Sequence, residues 1–208
     1  NLIKECQAAN VDSVKFVGEV VPDAPCGNSI PRTDILTVKS NGDENESNVP
    51  INKNFLAAHS TFFNALFIEK RQSDRDTTEG WSVNIVPPDT VENFSKMIDV
   101  LHLGDYVLND KNVENVLRLA NQFLLEEVEG KCKRYLTSEH CKIPTMKKFQ
   151  IAEKYGLDAL GEYILFQKIE KSDFDGKNFI YNLNLTKELS VEANQALAIR
   201  HRQLFPAA

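Results

Sequence analysis

Hydrophobic and polar positions change period several times along this chain, and those changes mark out strands and helices. Between Asp34 and Ser40 the run D-I-L-T-V-K-S is rich in aliphatic and β-branched residues and reads as a buried strand. The amide- and acid-rich N-G-D-E-N-E-S-N of residues 41–48 reads as an enlarged turn. Val49 to Ile51 then returns as a second strand, so the two form a hairpin. Trp81, Val83 and Ile85 alternate with Ser82 and Asn84, the period of a half-buried strand. Nearer the start, Val14, Phe16 and Val20 alternate with polar neighbours and predict an extra leading strand, followed by a Pro/Gly linker that ends at residue 33.

Helical period takes over elsewhere. Asn52 and Lys53 form a polar entry to F-L-A-A, and Phe62, Phe63, Leu66 and Phe67 follow as a broad aromatic face. Ala57, Ala58 and Ser60 are small enough to leave a second helix face open to close approach by a partner. Residues 71–80 are polar and read as a loop. Asp89, with Glu92 three residues on, reads as the N-cap of a helix whose face is Val91, Phe94, Met97, Ile98 and Leu101, and which Gly104 stops. Asp110 is the expected cap of the next helix, with Val113, Val116, Leu117 and Ala120 as its stripe; Val128, Cys132, Tyr135 and Leu136 form the stripe after that. Beyond Ile143 the helices shorten. Pro144 suits a first helical turn, Phe149, Ala152 and Tyr155 carry the face, and Gly156 fits a C-cap position. Leu157, Leu160, Ile164 and Ile169 supply the next helix, residues 172–184 read as a loop, and Ser190 caps a last helix through Ala193, Leu197 and Leu204. About three strands against five or more helices predict an α+β fold with a small helical appendage, neither a repeat array nor a doubly wound sheet.

Composition narrows the function. With 208 residues, 42% apolar and 26% charged, the chain can bury a real core. A formal charge of −6 without a basic run argues against a nucleic-acid partner, which needs clustered Lys and Arg. No apolar stretch is long enough to span a membrane, and N-L-I-K-E-C at the start lacks the plan of a signal peptide, so an intracellular protein, cytoplasmic or nuclear, is expected. The chain starts without Met, which makes a fragment of a longer protein the expectation. Cys6, Cys26, Cys132 and Cys141 form no C-x-x-C pair, and Cys132, His140 and Cys141 match no common zinc spacing. There is no G-x-S-x-G, G-x-x-x-x-G-K-[ST], H-E-x-x-H or G-x-G-x-x-G, and the four histidines fall in separate elements. Neither an enzyme nor a cofactor is therefore expected.

The run I-N-K-N-F-L-A-A-H-S-T-F-F-N-A-L-F, with Asp34 opening D-I-L-T-V-K before it, resembles the centre of a BTB (POZ) domain. W-S-V-N-I-V-P-P-D-T-V-E-N-F, V-L-H-L-G-D-Y-V-L-N and N-V-E-N-V-L-R-L-A-N-Q-F-L-L-E-E-V-E-G-K-C-K-R-Y-L continue that resemblance in order. M-K-K-F-Q-I-A-E-K-Y-G-L-D-A-L-G-E-Y-I is similar to the helical extension of nematode-type BTB and MATH-BTB proteins. The chain accordingly divides into an N-terminal extension (1–33), a BTB/POZ domain (34–138) and a helical BACK-like extension (139–208).

The resemblance implies a self-associating protein-interaction module that docks a cullin as substrate adaptor of a ubiquitin ligase. The alternative is a scaffold outside any ligase, holding one dedicated partner in a larger complex. It implies a homodimer or partner interface at Asp34, Lys53, Phe55, Leu56, His59 and Phe62. Asp34 and Lys53 have two readings, a surface ion pair or a pair facing each other in a groove between two chains. A cullin face is implied at Glu69, Arg71, Ser73, Leu103 and Tyr135. Arg71 and Ser73 stand where cullin-binding members carry a hydrophobic and an acidic residue, which predicts weak or absent direct binding to a cullin.

Overall fold

The computed structural model describes residues 31–32, 34–40, 46–73, 80–86, 88–104, 107–174 and 189–206. The leading strand expected around Val14 to Val20 lies outside them. Three strands, β1 (Asp34–Ser40), β2 (Glu46–Ile51) and β3 (Trp81–Ile85), form one sheet in the order β2-β1-β3. β1 pairs antiparallel with β2, Leu36 opposite Val49, and parallel with β3, Val38 opposite Val83. Leu36 and Val38 point into the core while Ile35 faces out, as the two-residue side-chain period requires.

Between β2 and β3 come α1 (Lys53–His59) and α2 (Thr61–Ser73). Asn52 caps α1 by accepting a hydrogen bond from the Phe55 N–H at 2.9 Å. The aromatic run then does what its spacing predicts. Phe63 and Phe67 are buried, and the Phe63 ring lies 5.3 Å from that of Phe123 and 6.5 Å from that of Phe94. The expected loop after residue 70 starts later, because α2 continues through Ser73.

α3 (Val91–Leu103) buries Phe94, Met97, Ile98, Val100 and Leu101 and ends at Gly104, whose φ of 110° is open to glycine. Its cap is Thr90, which accepts from the Asn93 N–H at 3.2 Å. Asp89, the expected cap, is instead buried beneath Arg118. α4 (Val113–Gln122) and α5 (Glu126–Thr137) complete the cluster. Asp110 does not cap α4 either. Its carboxylate accepts hydrogen bonds from the Tyr135 hydroxyl at 2.8 Å and the Lys142 N–H at 3.1 Å, pinning the end of α5 and the start of the extension.

In the extension, α6 (Thr145–Lys154) follows Pro144, which sits just before the helix rather than in its first turn. α7 (Asp158–Tyr163) runs into a π-helical turn, Ile164–Lys168, and α8 (Lys171–Phe174) and α9 (Val191–Leu204) follow. Ser190 caps α9 as expected, accepting from the Ala193 N–H at 3.0 Å. The apolar core is continuous from Leu36 in β1 to Leu197 in α9, so the extension is packed onto the preceding domain rather than tethered to it.

Candidate protein-interaction surfaces

At the sheet edge, Asp34 opens β1 and Lys53 opens α1. The Asp34 carboxylate accepts the Lys53 N–H at 3.1 Å, and the Lys53 ammonium stands 3.4 Å from its other oxygen. The same ammonium lies 4.7 Å from the centre of the Trp81 ring, a cation–π contact that the alternation of β3 gave no sign of. The structure therefore brings the pair together, half-buried at the start of α1, where a carboxylate also complements the helix dipole.

The remaining residues expected at the interface differ in burial. Leu56 is 1% exposed and belongs to the core, a correction that follows from its place on the inner side of α1. Phe55 packs its ring 4.4 Å from His59 and 4.7 Å from His102 at the end of α3. Phe62 lies against Phe123 at 5.2 Å and stays partly exposed. Ser60 leaves the partner face as well. It is buried, donates its hydroxyl proton to the Phe123 carbonyl at 2.6 Å and accepts from the Phe63 N–H at 3.1 Å, so it caps α2 and ties down the α4–α5 turn at once.

A chain of polar contacts stitches α1, α3 and α5 beneath this surface. His59 Nδ1 lies 2.8 Å from the Glu127 carboxylate, whose other oxygen lies 2.8 Å from Lys131. Lys131 in turn donates to the Val100 and Leu101 carbonyls at 3.0 and 3.2 Å, satisfying the C-terminal end of α3. The Lys131 hydrogen bond holds the Glu127 carboxyl below the usual carboxylate range. His102, beside them, has both ring nitrogens buried without a hydrogen-bond partner among the described residues. Burial first, and the Arg32 charge second, push its pKa down.

The second surface is a groove of about 520 Å³ between α1–α2 and the α4–α5 turn. Ala57 and Ala58 line one wall, with Thr61 and Asn64 beyond them; Asn121, Leu124, Glu126 and Glu129 contribute to the other. Its rim depends on an unusual turn. The Leu125 N–H donates to the Ala120 carbonyl at 2.8 Å and the Leu124 N–H to the Asn121 carbonyl at 3.3 Å, the Schellman pattern that ends a helix with one left-handed residue. Here that residue is Leu124, at φ 53°. The α6 end has the same pattern, Leu157 N–H to Ala152 carbonyl at 2.8 Å, but with Gly156 at φ 64°. Leucine at this position costs roughly 1 kcal/mol relative to a residue without Cβ. It leaves its side chain 55% exposed beside the groove.

Of the expected cullin face, Leu103 is exposed at the end of α3, and Tyr135 is half-buried with its hydroxyl engaged by Asp110. Burial, then that hydrogen bond, push the Tyr135 pKa up to about 12. Glu69, Arg71 and Ser73 fall in the last turns of α2, which for Arg71 and Ser73 corrects the expected loop; their side chains lie outside the described set.

The BTB/POZ domain model matches residues 34–140, slightly more than half of the chain and the span of the sheet and the α1–α5 cluster. The chain belongs to the BTB/POZ family. It is similar to BTB and MATH domain-containing protein 15 of Caenorhabditis elegans, 33% identical over 109 residues that make up 52% of this chain and 37% of that protein. BTB and MATH domain-containing protein 38 of the same organism is 27% identical over 129 residues, 62% of this chain and 32% of that one. Zinc finger and BTB domain-containing protein 5 of Mus musculus is 34% identical over 90 residues, 41% of this chain and 12% of that one. The chain thus spans about a third or less of the length of these relatives. As a BTB/POZ protein it is a protein-interaction module. No helix among its described residues is long and apolar enough to cross a membrane.

Proposed function

We propose that this BTB/POZ chain self-associates and holds a partner in place as the substrate adaptor of a cullin-RING ubiquitin ligase, contributing proximity and no covalent chemistry of its own. The observation that carries the docking half of this reading is the α1–α2/α4–α5 groove, where Leu124 is kept strained and exposed although the same turn is built with glycine at Gly156. Strain retained at a surface is a pointer to a binding role. Self-association is supported by family membership and by the half-buried Asp34–Lys53 pair with the Phe55, His59 and His102 rings close by.

Calorimetric titration with a cullin N-terminal domain tests the docking step. The unmodified chain should bind weakly, Leu124→Gly more weakly still, and Arg71→Met with Ser73→Glu about tenfold more tightly, since a missing interface anchor typically costs ~2 kcal/mol or more. Absence of binding by all three proteins would contradict the ligase reading. The second reading, a scaffold outside any ligase, is favoured by one observation: Arg71 and Ser73, lacking the apolar and acidic character of a cullin motif, continue α2 as helix. Affinity purification with mass spectrometry separates the two by whether a cullin is recovered.

A further inference from the structure

In the extension, α6, α7 and α9 enclose an open groove of about 230 Å³. Phe149, Ala152 and Leu165 form its apolar floor, with Ala193 and Ala196 of α9 opposite. Among the described residues, every ionisable group on its rim is a carboxylate: Glu153, Asp158, Glu162 and Glu192. Glu153 accepts a hydrogen bond from the Ser190 hydroxyl, which accounts for it as part of the α9 cap. Asp158 and Glu192 lie in first helical turns, where the helix dipole favours acid. Neither explanation covers Glu162, which lies midway along the helix that α7 and the π-helical turn form together, four residues after Asp158, where like charges repel. Among the described residues, no cation forms an ion pair with Asp158, Glu162 or Glu192. Lys154 turns to Glu114 and Arg200 to the Ile169 carbonyl.

An apolar cleft ringed by carboxylates that no described cation pairs with is complementary to one kind of ligand, a short segment that offers an apolar side chain flanked by Lys or Arg. We propose that this groove is a docking site for a basic amphipathic segment of a protein partner. The apolar side chain fills the cleft over Phe149 and Ala196 while the flanking cations pair with Glu162 on one wall and Glu192 on the other. A second copy of this chain, with its net charge of −6, is the wrong partner for such a site. The site lies on the extension and does not depend on what occupies the groove beside Leu124.

The test is fluorescence anisotropy of the full chain with a labelled leucine–lysine amphipathic peptide, against a peptide of equal charge in which serine replaces leucine. The leucine–lysine peptide should bind at least about tenfold more tightly than the serine control. Glu162→Lys with Glu192→Lys, and separately Ala196→Phe, which fills the cleft, should each weaken binding by about tenfold or more. Glu162→Gln supplies a readout independent of the ligand, because relief of the Asp158 repulsion should raise the melting temperature of the free chain while peptide affinity falls. Equal affinity for the two peptides, affinity unmoved by the charge-reversed pair, or no binding of the leucine–lysine peptide would each overturn the proposal.

Discussion

Leu124 is the residue whose local physics is least like that of its neighbours. Its φ of 53° would suit glycine, and Gly156 fills the equivalent position after α6. Leu124→Gly should therefore raise stability by about 0.5–1 kcal/mol in urea unfolding, the relieved left-handed strain being partly offset by the added freedom of the unfolded chain. A fall in stability would mean that the side chain packs inward in solution. His102 gives a second prediction. Its folded pKa lies below the ordinary value, so its neutral form contributes stability above that value, and the contribution is lost as pH falls through the folded pKa. His102→Phe keeps a ring against Phe55 and removes both unpartnered nitrogens, so it should flatten the stability profile on the acid side of the ordinary histidine pKa, read by thermal unfolding. An unchanged profile would show that the histidine is solvated. Neither position stood out in the sequence, because a left-handed leucine and an unpartnered histidine have no periodic signature. Leu56 and Ser60 turn inward for a related reason: a run such as F-L-A-A-H-S shows that a helix is amphipathic without showing which side meets the core.

At the scale of elements the sequence was far more legible. Strand alternation, the α3 stripe, the α4 and α5 stripes and the Ser190 cap all lie where hydrophobic period and capping chemistry placed them. The departures are polar residues drawn into tertiary contacts. Asp89 is the clearest, since its side chain is 2% exposed and accepts a two-pronged contact from Arg118, the closest at 2.6 Å. That contact joins the approach to α3 with α4 and raises the Arg118 pKa further. Asp89→Ala would leave the guanidinium without its charged partner, Asn115 still accepting from it at 3.0 Å, and should cost about 3 kcal/mol, measured by denaturant unfolding. A cost under ~1 kcal/mol would return the pair to the class of surface ion pairs. A sequence places such an aspartate only by local rules, and those favour a cap.

Across the whole molecule, the extension is held to the BTB/POZ domain by the shared core and by Glu114, which lies 3.4 Å from Lys147 and 3.1 Å from Lys154. Burial raises the Glu114 pKa, but the Lys154 hydrogen bond and the two lysine charges outweigh it and hold the carboxyl below its usual range. The sign follows from linkage: this contact contributes stability above the unfolded carboxylate pKa and loses it as pH falls through the folded one. Glu114→Gln should therefore remove part of the acid sensitivity of the extension, visible as smaller pH dependence of amide exchange in α6. Family membership was readable from ordered motifs because helix stripes and the aromatic run specify a core, whereas contacts between chains leave no period to read. The reading of the chain as a self-associating module is tested most directly by multi-angle light scattering of the full chain at tens of micromolar. Twice the chain mass of 23.5 kDa is expected, falling towards the monomer in the Asp34→Asn, Lys53→Gln variant with its circular dichroism unchanged. A strictly monomeric mass for the unmodified chain would contradict that reading.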